Sequence, residues 1–394
     1  MSEKNLVPKR RFKEFQNTRA WEQRKLGEMC VIGDIDHRMP DSVRDGIPYL
    51  MTGDFIGLNG LDFENSKQVS LKDYEQLSKK IKPEQGDILF ARYASVGTVR
   101  YVETLEKFLI SYSCAILKPD ETINGKCLFY YLQSDECQQQ IELEINTGSQ
   151  RNIGIDSLKK IKIYVPSMKE QSLVSELLTQ LDSLITLHQR KLEKTKALKS
   201  AYLAEMFPAE GELVPKRRFA GFTEEWEEWN LGDITSINTG GSNAQDAVIG
   251  GNYPFFVRSE HIQRSERYTF DGEAILIPGE GRLGEIYHHI IGKFDYHQRV
   301  YKISDFDKNI FGKFIYFTLH KSFKKHAMKH TVKATVDSLR LPMLTEYKII
   351  SPTYKEQKLI ATFFKNLDES ISNQQKKLDK LNAMKQAYLQ EMFV

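Results

Sequence analysis

Lys169 to Phe207 reads KEQSLVSELLTQLDSLITLHQRKLEKTKALKSAYLAEMF, and Lys355 to Phe393 reads KEQKLIATFFKNLDESISNQQKKLDKLNAMKQAYLQEMF. The two stretches align without a gap, and each follows a proline, Pro166 or Pro352, at equal distance. Both carry apolar residues spaced alternately four and three apart, the pattern of a helix that buries a narrow seam. In the first copy the seam runs through Val174, Leu178, Leu181, Ile185, His188, Leu192 and Thr195; in the second through Ile360, Phe364, Leu367, Ile371, Gln374, Leu378 and Leu381. A helix of about 35 residues is about 50 Å long at 1.5 Å per residue, so one small domain cannot cover such a seam. The spacing predicts that the two helices pack on each other, with Leu178, Leu181, Ile185, Leu192, Phe364, Leu367, Ile371 and Leu378 as the shared seam. An approximate two-fold axis between the halves makes the pair antiparallel. His188 and Gln374 share one polar seam position and read as a hydrogen-bonded register pin.

Working outward, Leu6 to Phe12 reads LVPKRRF and Leu213 to Phe219 reads LVPKRRF again. A Trp and a Leu-Gly pair follow each copy at the same internal spacing: Trp21 with Leu26 and Gly27, Trp226 with Leu231 and Gly232. The chain is therefore one plan written twice. Its divisions are 1–20 as an N-terminal arm, 21–166 as a first variable domain, 167–207 as a central long helix, 208–225 as a linker repeating the arm, 226–352 as a second variable domain and 353–394 as a C-terminal long helix. Both helices end in Glu-Met-Phe before or opposite an arm, so joining the termini would close a circular repeat.

The variable stretches share little sequence. Faint echoes survive: Gly86 to Leu89 against Gly272 to Leu276, and Ile155 to Leu158 against Val336 to Leu339. β-Branched and aromatic runs bounded by turn residues read as strands, as at Asp87 to Phe90, Val99 to Val102, Ala274 to Ile277 and Arg299 to Ile303. Helical patterns interrupt them at Cys127 to Gln140 and Phe311 to His320. The expected fold class is α+β, with two α+β domains separated by a pair of long antiparallel coiled-coil helices and a pseudo-two-fold internal repeat.

Composition narrows the function classes. The 394 residues are 40% hydrophobic and 28% charged, with 56 Lys and Arg against 53 Asp and Glu, so a net charge of +3 makes any nucleic-acid surface local. Cys30, Cys114, Cys127 and Cys137 lack zinc or disulfide spacing and read as reduced thiols of a cytoplasmic protein. No apolar run approaches a membrane span, and no signal peptide is expected. Gly279 to Gly284 matches GxGxxG, but the following Glu285 to Ile291 is β-rich and offers no helix N-terminus for a pyrophosphate. Ser351 to Tyr354 resembles a methyltransferase tetrad only until its repeat partner, Val165 to Met168, ties it to a helix start. Trp21 and Trp226 read as boundary packing. The basic face of Arg190, Lys191, Lys194, Lys196 and Lys199 reads as solvated, and His288, His289 and His297 are assigned no metal. No catalytic constellation is present.

What remains is a set of polar and basic loops at matching places. In the first half these are Arg92, Tyr93, Ser95 and Thr98, with Ser149, Gln150, Arg151 and Asn152 before the echoed Asp-Ser-Leu. In the second they are Arg258 and Arg282, with Glu280 beside the latter, and Lys329, Lys333 and Thr335 before the corresponding echo. Gly and Ser let a backbone approach phosphate, while Arg, Asn and Gln supply paired donors and acceptors for base edges.

This order of parts resembles the specificity subunit of type I restriction-modification enzymes. The residues are the Leu-Gly-Glu and Leu-Gly-Asp starts at Leu26 and Leu231, the Gly-Asp-Ile-Leu strand at Gly86, Thr147 to Gln150, Pro166 with Glu170 and Gln171, and Pro352 with Glu356 and Gln357. The resemblance covers nearly the whole chain. It implies two target recognition domains, each reading half of a split, asymmetric site on double-stranded DNA, with the helices setting the spacer. It also implies a subunit without chemistry of its own and without a cofactor. Two modification subunits would bind S-adenosylmethionine and methylate adenine, and two restriction subunits would use ATP and Mg2+. A standalone enzyme and a coiled-coil scaffold for proteins are the competing classes.

Overall fold

The structure, a computed structural model, describes residues 7–148, 150–330 and 338–394. Two compact units divide the chain: Met1–Arg190 with Gln375–Val394, and the continuous segment Lys191–Gln374. Each long helix is shared between units, so the first unit is assembled from both ends of the chain.

The first unit begins with β1 (Glu22–Lys25), α1 (Leu26–Met29), β2 (Cys30–Gly33), β3 (Ile47–Leu50), β4 (Phe55–Ile56) and β5 (Gly60–Leu61). It continues through β6 (Lys67–Val69), α2 (Leu71–Leu77), β7 (Ile88–Ala91), β8 (Val99–Tyr101), β9 (Leu109–Ile110) and β10 (Cys114–Pro119). Helices α3 (Gly125–Tyr131), α4 (Asp135–Leu143) and α5 (Ile155–Lys160), strand β11 (Lys162–Val165) and the long α6 (Met168–Glu205) follow. The helical pattern expected over Cys127 to Gln140 is two helices, because the Ser134 hydroxyl accepts the N–H of Cys137 and starts a new one.

The second unit holds β12 (Glu227–Asn230), α7 (Leu231–Ile234), β13 (Ser236–Thr239), β14 (Tyr253–Phe256) and β15 (Gln263–Ser265). Next come β16 (Phe270–Pro278), β17 (His288–Tyr296), β18 (Val300–Ser304), α8 (Gly312–His330), α9 (Leu341–Thr345), β19 (Lys348–Ser351) and α10 (Tyr354–Glu391).

Both units have one topology. The first has a sheet of order β2-β10-β7-β8, with β3 pairing antiparallel to β6 and parallel to β9. The second has the order β13-β18-β16-β17-β14-β15, in which the long β17 does the work of β8 and β9 together. Residues 88–91 of β7 and 274–278 of β16 are apolar and buried at every position because both faces are covered. Ile88 and Phe90 face one core while Leu89 faces another; Ile275 and Ile277 face one core while Ala274 and Leu276 face another.

The repeated residues have repeated contacts. Arg11 forks Glu170 with bonds of 2.6 and 2.8 Å and donates to the carbonyl of Arg19, two residues before Trp21. Arg218 forks Glu356 at 2.9 and 2.6 Å and donates to the carbonyl of Glu224, two residues before Trp226. Gln171 accepts the N–H of Asn124 and donates to the Pro166 carbonyl, as Gln357 does with Phe311 and Pro352. Both tryptophans are buried, against Phe393 in the first unit and Phe207 in the second.

Within each unit the helix segments run antiparallel. Arg10 and Arg11 reach the end of α10 and the start of α6, at Glu391 and Glu170. Arg217 and Arg218 reach the end of α6 and the start of α10, at Glu205 and Glu356. Lys385 pairs with Asp182 at 2.7 Å in the first unit, and Lys199 with Asp368 at 2.5 Å in the second, which is one ion pair made twice with the helices exchanged. Of the expected seam, Leu178, Leu181, Ile185, Leu192, Phe364 and Leu378 are buried, and Leu367 and Ile371 are half-buried. All four cysteines are free and buried, and burial pushes the Cys30, Cys114 and Cys127 thiols up to about 12. No helix among the described residues is long and apolar enough to cross a membrane.

The Leu-Gly pair has a steric cause. A Cβ on Gly27 would lie 2.8 Å from the Lys159 Cβ on α5, and one on Gly232 would lie 2.8 Å from the Thr345 Cβ on α9. Gly27→Ala and Gly232→Ala should each lower unfolding free energy by about 1–3 kcal/mol through overpacking. Urea denaturation measures this, and an unchanged midpoint would show that the two short helices can shift at no cost.

Candidate nucleic-acid interface

Five chain segments meet at one end of the sheet in each unit, and strand topology rather than chain proximity brings them together. In the first unit, the Ser111 N–H bonds the Leu50 carbonyl, the Arg92 N–H bonds the Ser113 carbonyl, and the Ile153 N–H bonds the Arg92 carbonyl. Residues 51–54, 92–97, 111–113, 146–148 and 150–152 are thereby knitted together, and Tyr93 bridges Asn152. The loop after β2 joins them: His37 stacks on Tyr112 with centroids 4.8 Å apart, and its Nε2 lies 3.1 Å from Asp34.

The second unit repeats the pattern bond for bond. His297 N–H bonds the Phe256 carbonyl, Gly279 N–H the Arg299 carbonyl, and Leu339 N–H the Gly279 carbonyl, while Glu280 bridges Ser338. Gln298, at the place of Tyr112, donates its backbone N–H to the Ser242 carbonyl and its amide to Asn243. The loops thus have one scaffold and different side chains.

This registration corrects one echo. Ser338 stands where Asn152 stands, so Leu339 matches Ile153 and α9 matches α5; the similarity of Val336 to Leu339 with Ile155 to Leu158 is displaced by several residues. Helix α8 also runs ten residues beyond the expected His320. Lys329 therefore lies on α8 rather than in the loop cluster, and its Nζ is 2.8 Å from Glu210 of the linker.

Arg92, expected at a base edge, is a structural residue instead. Its side chain is 7% exposed, its Nη1 pairs with Asp34, and its Nε donates 3.0 Å to the Ile153 carbonyl. Turning it outward would take from Asp34 its buried cation and leave only the exposed Lys80 to pair with it. Burial pushes the Asp34 carboxyl up, but bonds from Lys80 and His37 and the charge of Arg92 together hold it below its ordinary range.

Other expected residues reach the surface. Ser95, Gln150 and Arg151 are exposed, and Tyr93, Thr98 and Asn152 are half-buried. Arg151 pairs with Glu142, and Asn152 donates to the Gln150 carbonyl. Arg258 lies 3.1 Å from Glu280, and Arg282 lies within 3.1 Å of both Glu260 and Glu285. Ser149, Lys333 and Thr335 lie outside the described residues. Reading the sequence missed His37, Tyr112, Asn243, Gln298 and Arg299. None belongs to a local motif, and only the bond from each turn to the strand beside it reveals them.

The GxGxxG segment is a turn between two strands, with no helix after it. Its last glycine, Gly284, has φ +64 and sits against Lys324, as Gly97 has φ +91 and sits against Gln138. Left-handed backbone and close packing account for both glycines. Among the described residues, no group of three or more His, Cys, Asp or Glu is placed to hold a metal.

The sequence model of the family described as "Type I restriction modification DNA specificity domain" matches residues 18–197 and 223–383. The chain belongs to this family. It is 27% identical over 157 residues to the EcoDI specificity subunit of Escherichia coli, covering 40% of this chain and 34% of that one. With the MjaVIII specificity subunit of Methanocaldococcus jannaschii it is 21% identical over 262 residues, 58% of this chain and 60% of the relative. The matches thus span less than two thirds of either relative. In fold it is similar to the S subunit of a type I restriction-modification system from M. genitalium, with a TM-score of 0.69 at 18% identity over 99% of both chains. A second likeness, with a TM-score of 0.52 at 17% identity over 94% of this chain and 96% of the other, is to a chain from a study of complex assembly and conformational transition in the type I R-M system. The family's DNA specificity domain is thus matched twice, once in each half of the chain.

Arg92→Ala should cost about 3 kcal/mol of stability near neutral pH, because Asp34 is left without its buried cation. A carboxylate whose folded pKa is depressed contributes stability above its unfolded pKa and loses it as pH falls through the folded value. The deficit of the variant should therefore shrink below about pH 4. Chemical denaturation at several pH values checks both the cost and its pH dependence.

Proposed function

We propose that each unit reads one half of a bipartite, asymmetric target on double-stranded DNA, and that the two long helices set the unread gap. The observation that supports this most is the cluster of five chain segments built twice on one backbone scaffold with unlike side chains. His37 and Tyr112 in one unit give way to Asn243 and Gln298 in the other. A scaffold held constant beneath variable polar loops is the arrangement expected of a reader whose two half-sites differ.

In this reading the chain works in the cytoplasm, binds no cofactor and performs no chemistry. Two modification subunits dock on the helix frame, bind S-adenosylmethionine and methylate adenine. Two restriction subunits use ATP and Mg2+ to translocate and cut. The specificity subunits this chain is similar to support the division of labour. A frame in which the same ion pair and the same arm-to-helix clamp occur twice suits two copies of one partner.

The test is sequencing of methylated bases in a host that carries this chain with its modification subunit. The expected outcome is methylation at a split sequence with two unlike halves, absent when either protein is omitted. A second variant tests the spacer. Four residues inserted after Arg190 and four after Gln374 leave every contact within each unit in register. Each insertion adds about 6 Å of helix, nearly two base-pair steps of about 3.4 Å. Both half-sequences should persist while the gap widens by one or two base pairs. Altered halves with an unchanged gap would remove the helices from that role.

A further inference from the structure

We propose that Arg258, Glu280 and Arg299 of the second unit form a reader for a G·C base pair in the major groove. The inference rests on the DNA-reading role argued above and names the chemistry of one of its subsites.

The three residues come from three different loops of the cluster: the one after β14, the one after β16 and the turn between β17 and β18. Glu280 is the common partner. Its Oε2 lies 3.1 Å from Arg258 Nη1, and its other oxygen pairs with Arg299 Nη1. Both arginine side chains stay more than half exposed, at 55% and 57%, and each guanidinium has donors that Glu280 does not use. Arg258 and Glu280 line a cleft of about 520 Å³ with Gln263, Ser259 and His297.

This set of donors and acceptors fits one kind of ligand. Two arginines around a carboxylate make a poor phosphate site, since the carboxylate would repel the phosphate at contact distance. A base pair suits it better. Guanine offers two adjacent acceptors, O6 and N7, to a guanidinium fork, and the paired cytosine offers its N4 amino group to a carboxylate. Adenine presents a donor beside an acceptor, which leaves one arm of an arginine fork facing a donor. His297 completes the wall as a neutral ring: its Nδ1 accepts the Arg299 N–H at 3.0 Å, and burial together with the nearby arginines lowers its pKa.

The first unit lacks the device. At the corresponding places it has Thr52, Tyr93 and Ser113, none of them charged. The inference therefore concerns one half-site only, and the other half serves as an internal control. Exposed ion pairs of this kind contribute little to stability, so their variants should fold.

The experiment maps methylated sequences for the full-length chain produced with its modification subunit, comparing the unaltered chain with Glu280→Gln, Arg258→Lys and Arg299→Lys. The expected result is a required G·C pair in one half-sequence, with discrimination at that pair falling about 5- to 150-fold in Glu280→Gln and in at least one lysine variant. The other half-sequence should be unchanged. The inference is overturned if neither half requires a G·C pair, if every variant keeps full discrimination, if a required A·T pair is the one relaxed, or if methylation falls equally at all sites. Failure of the unaltered chain to direct methylation to any split sequence would instead refute the broader DNA-reading proposal.

Discussion

A buried guanidinium fork on a carboxylate holds each unit closed. Arg11 meets Glu170 with side chains 5% and 1% exposed, and Arg218 meets Glu356 at 12% and 0%. Such a pair adds little net stability, because desolvation offsets much of the attraction, but breaking it leaves a buried charge at a cost of about 3–5 kcal/mol. Its value is geometric. The planar fork fixes the arm against the first turn of a long helix, and the same guanidinium holds a carbonyl two residues before the buried tryptophan. From that anchor follow the docking of Trp21 and Trp226, the short strand beside each, and the close approach that requires Gly27 and Gly232.

The anchor separates what must stay constant from what is free to vary. Residues of the arm, the helix starts and the helix ends contact one another, so a change at one would need a matching change elsewhere. The sheets are covered on both faces and need only apolar residues of suitable size, which is why β7 and β16 retain a common character with few identities. At the loop end, backbone bonds between turns and strands hold the geometry whatever the side chains are. Side chains there can be exchanged without disturbing the packing beneath.

Arg92 and Arg258 illustrate how far local chemistry can mislead. Both are arginines in polar loops beside strand ends. One is folded inward onto Asp34 and Ile153, while the other stands outward beside Glu280. Sequence spacing could not distinguish them, because Asp34 lies fifty-eight positions from Arg92 and is brought there by β2 and β10. Lys329 fails for a related reason: α8 continues past the point where its apolar pattern weakens, and the lysine is carried onto a helix facing Glu210.

The sequence by itself determined the repeat, the two long helices with their seam, the α+β character of both variable stretches and the family. These are encoded in spacing and identity, and periodic burial and repeated contacts leave a linear trace. Only the tertiary structure decided that each unit draws on both long helices, that the first unit uses both chain ends, that α5 matches α9 rather than the displaced Asp-Ser-Leu echo, and which polar residues share a loop cluster. Those facts depend on hydrogen bonds between strands far apart in the chain. Such bonds are made by backbone groups common to every residue, so they leave no mark in side-chain identity.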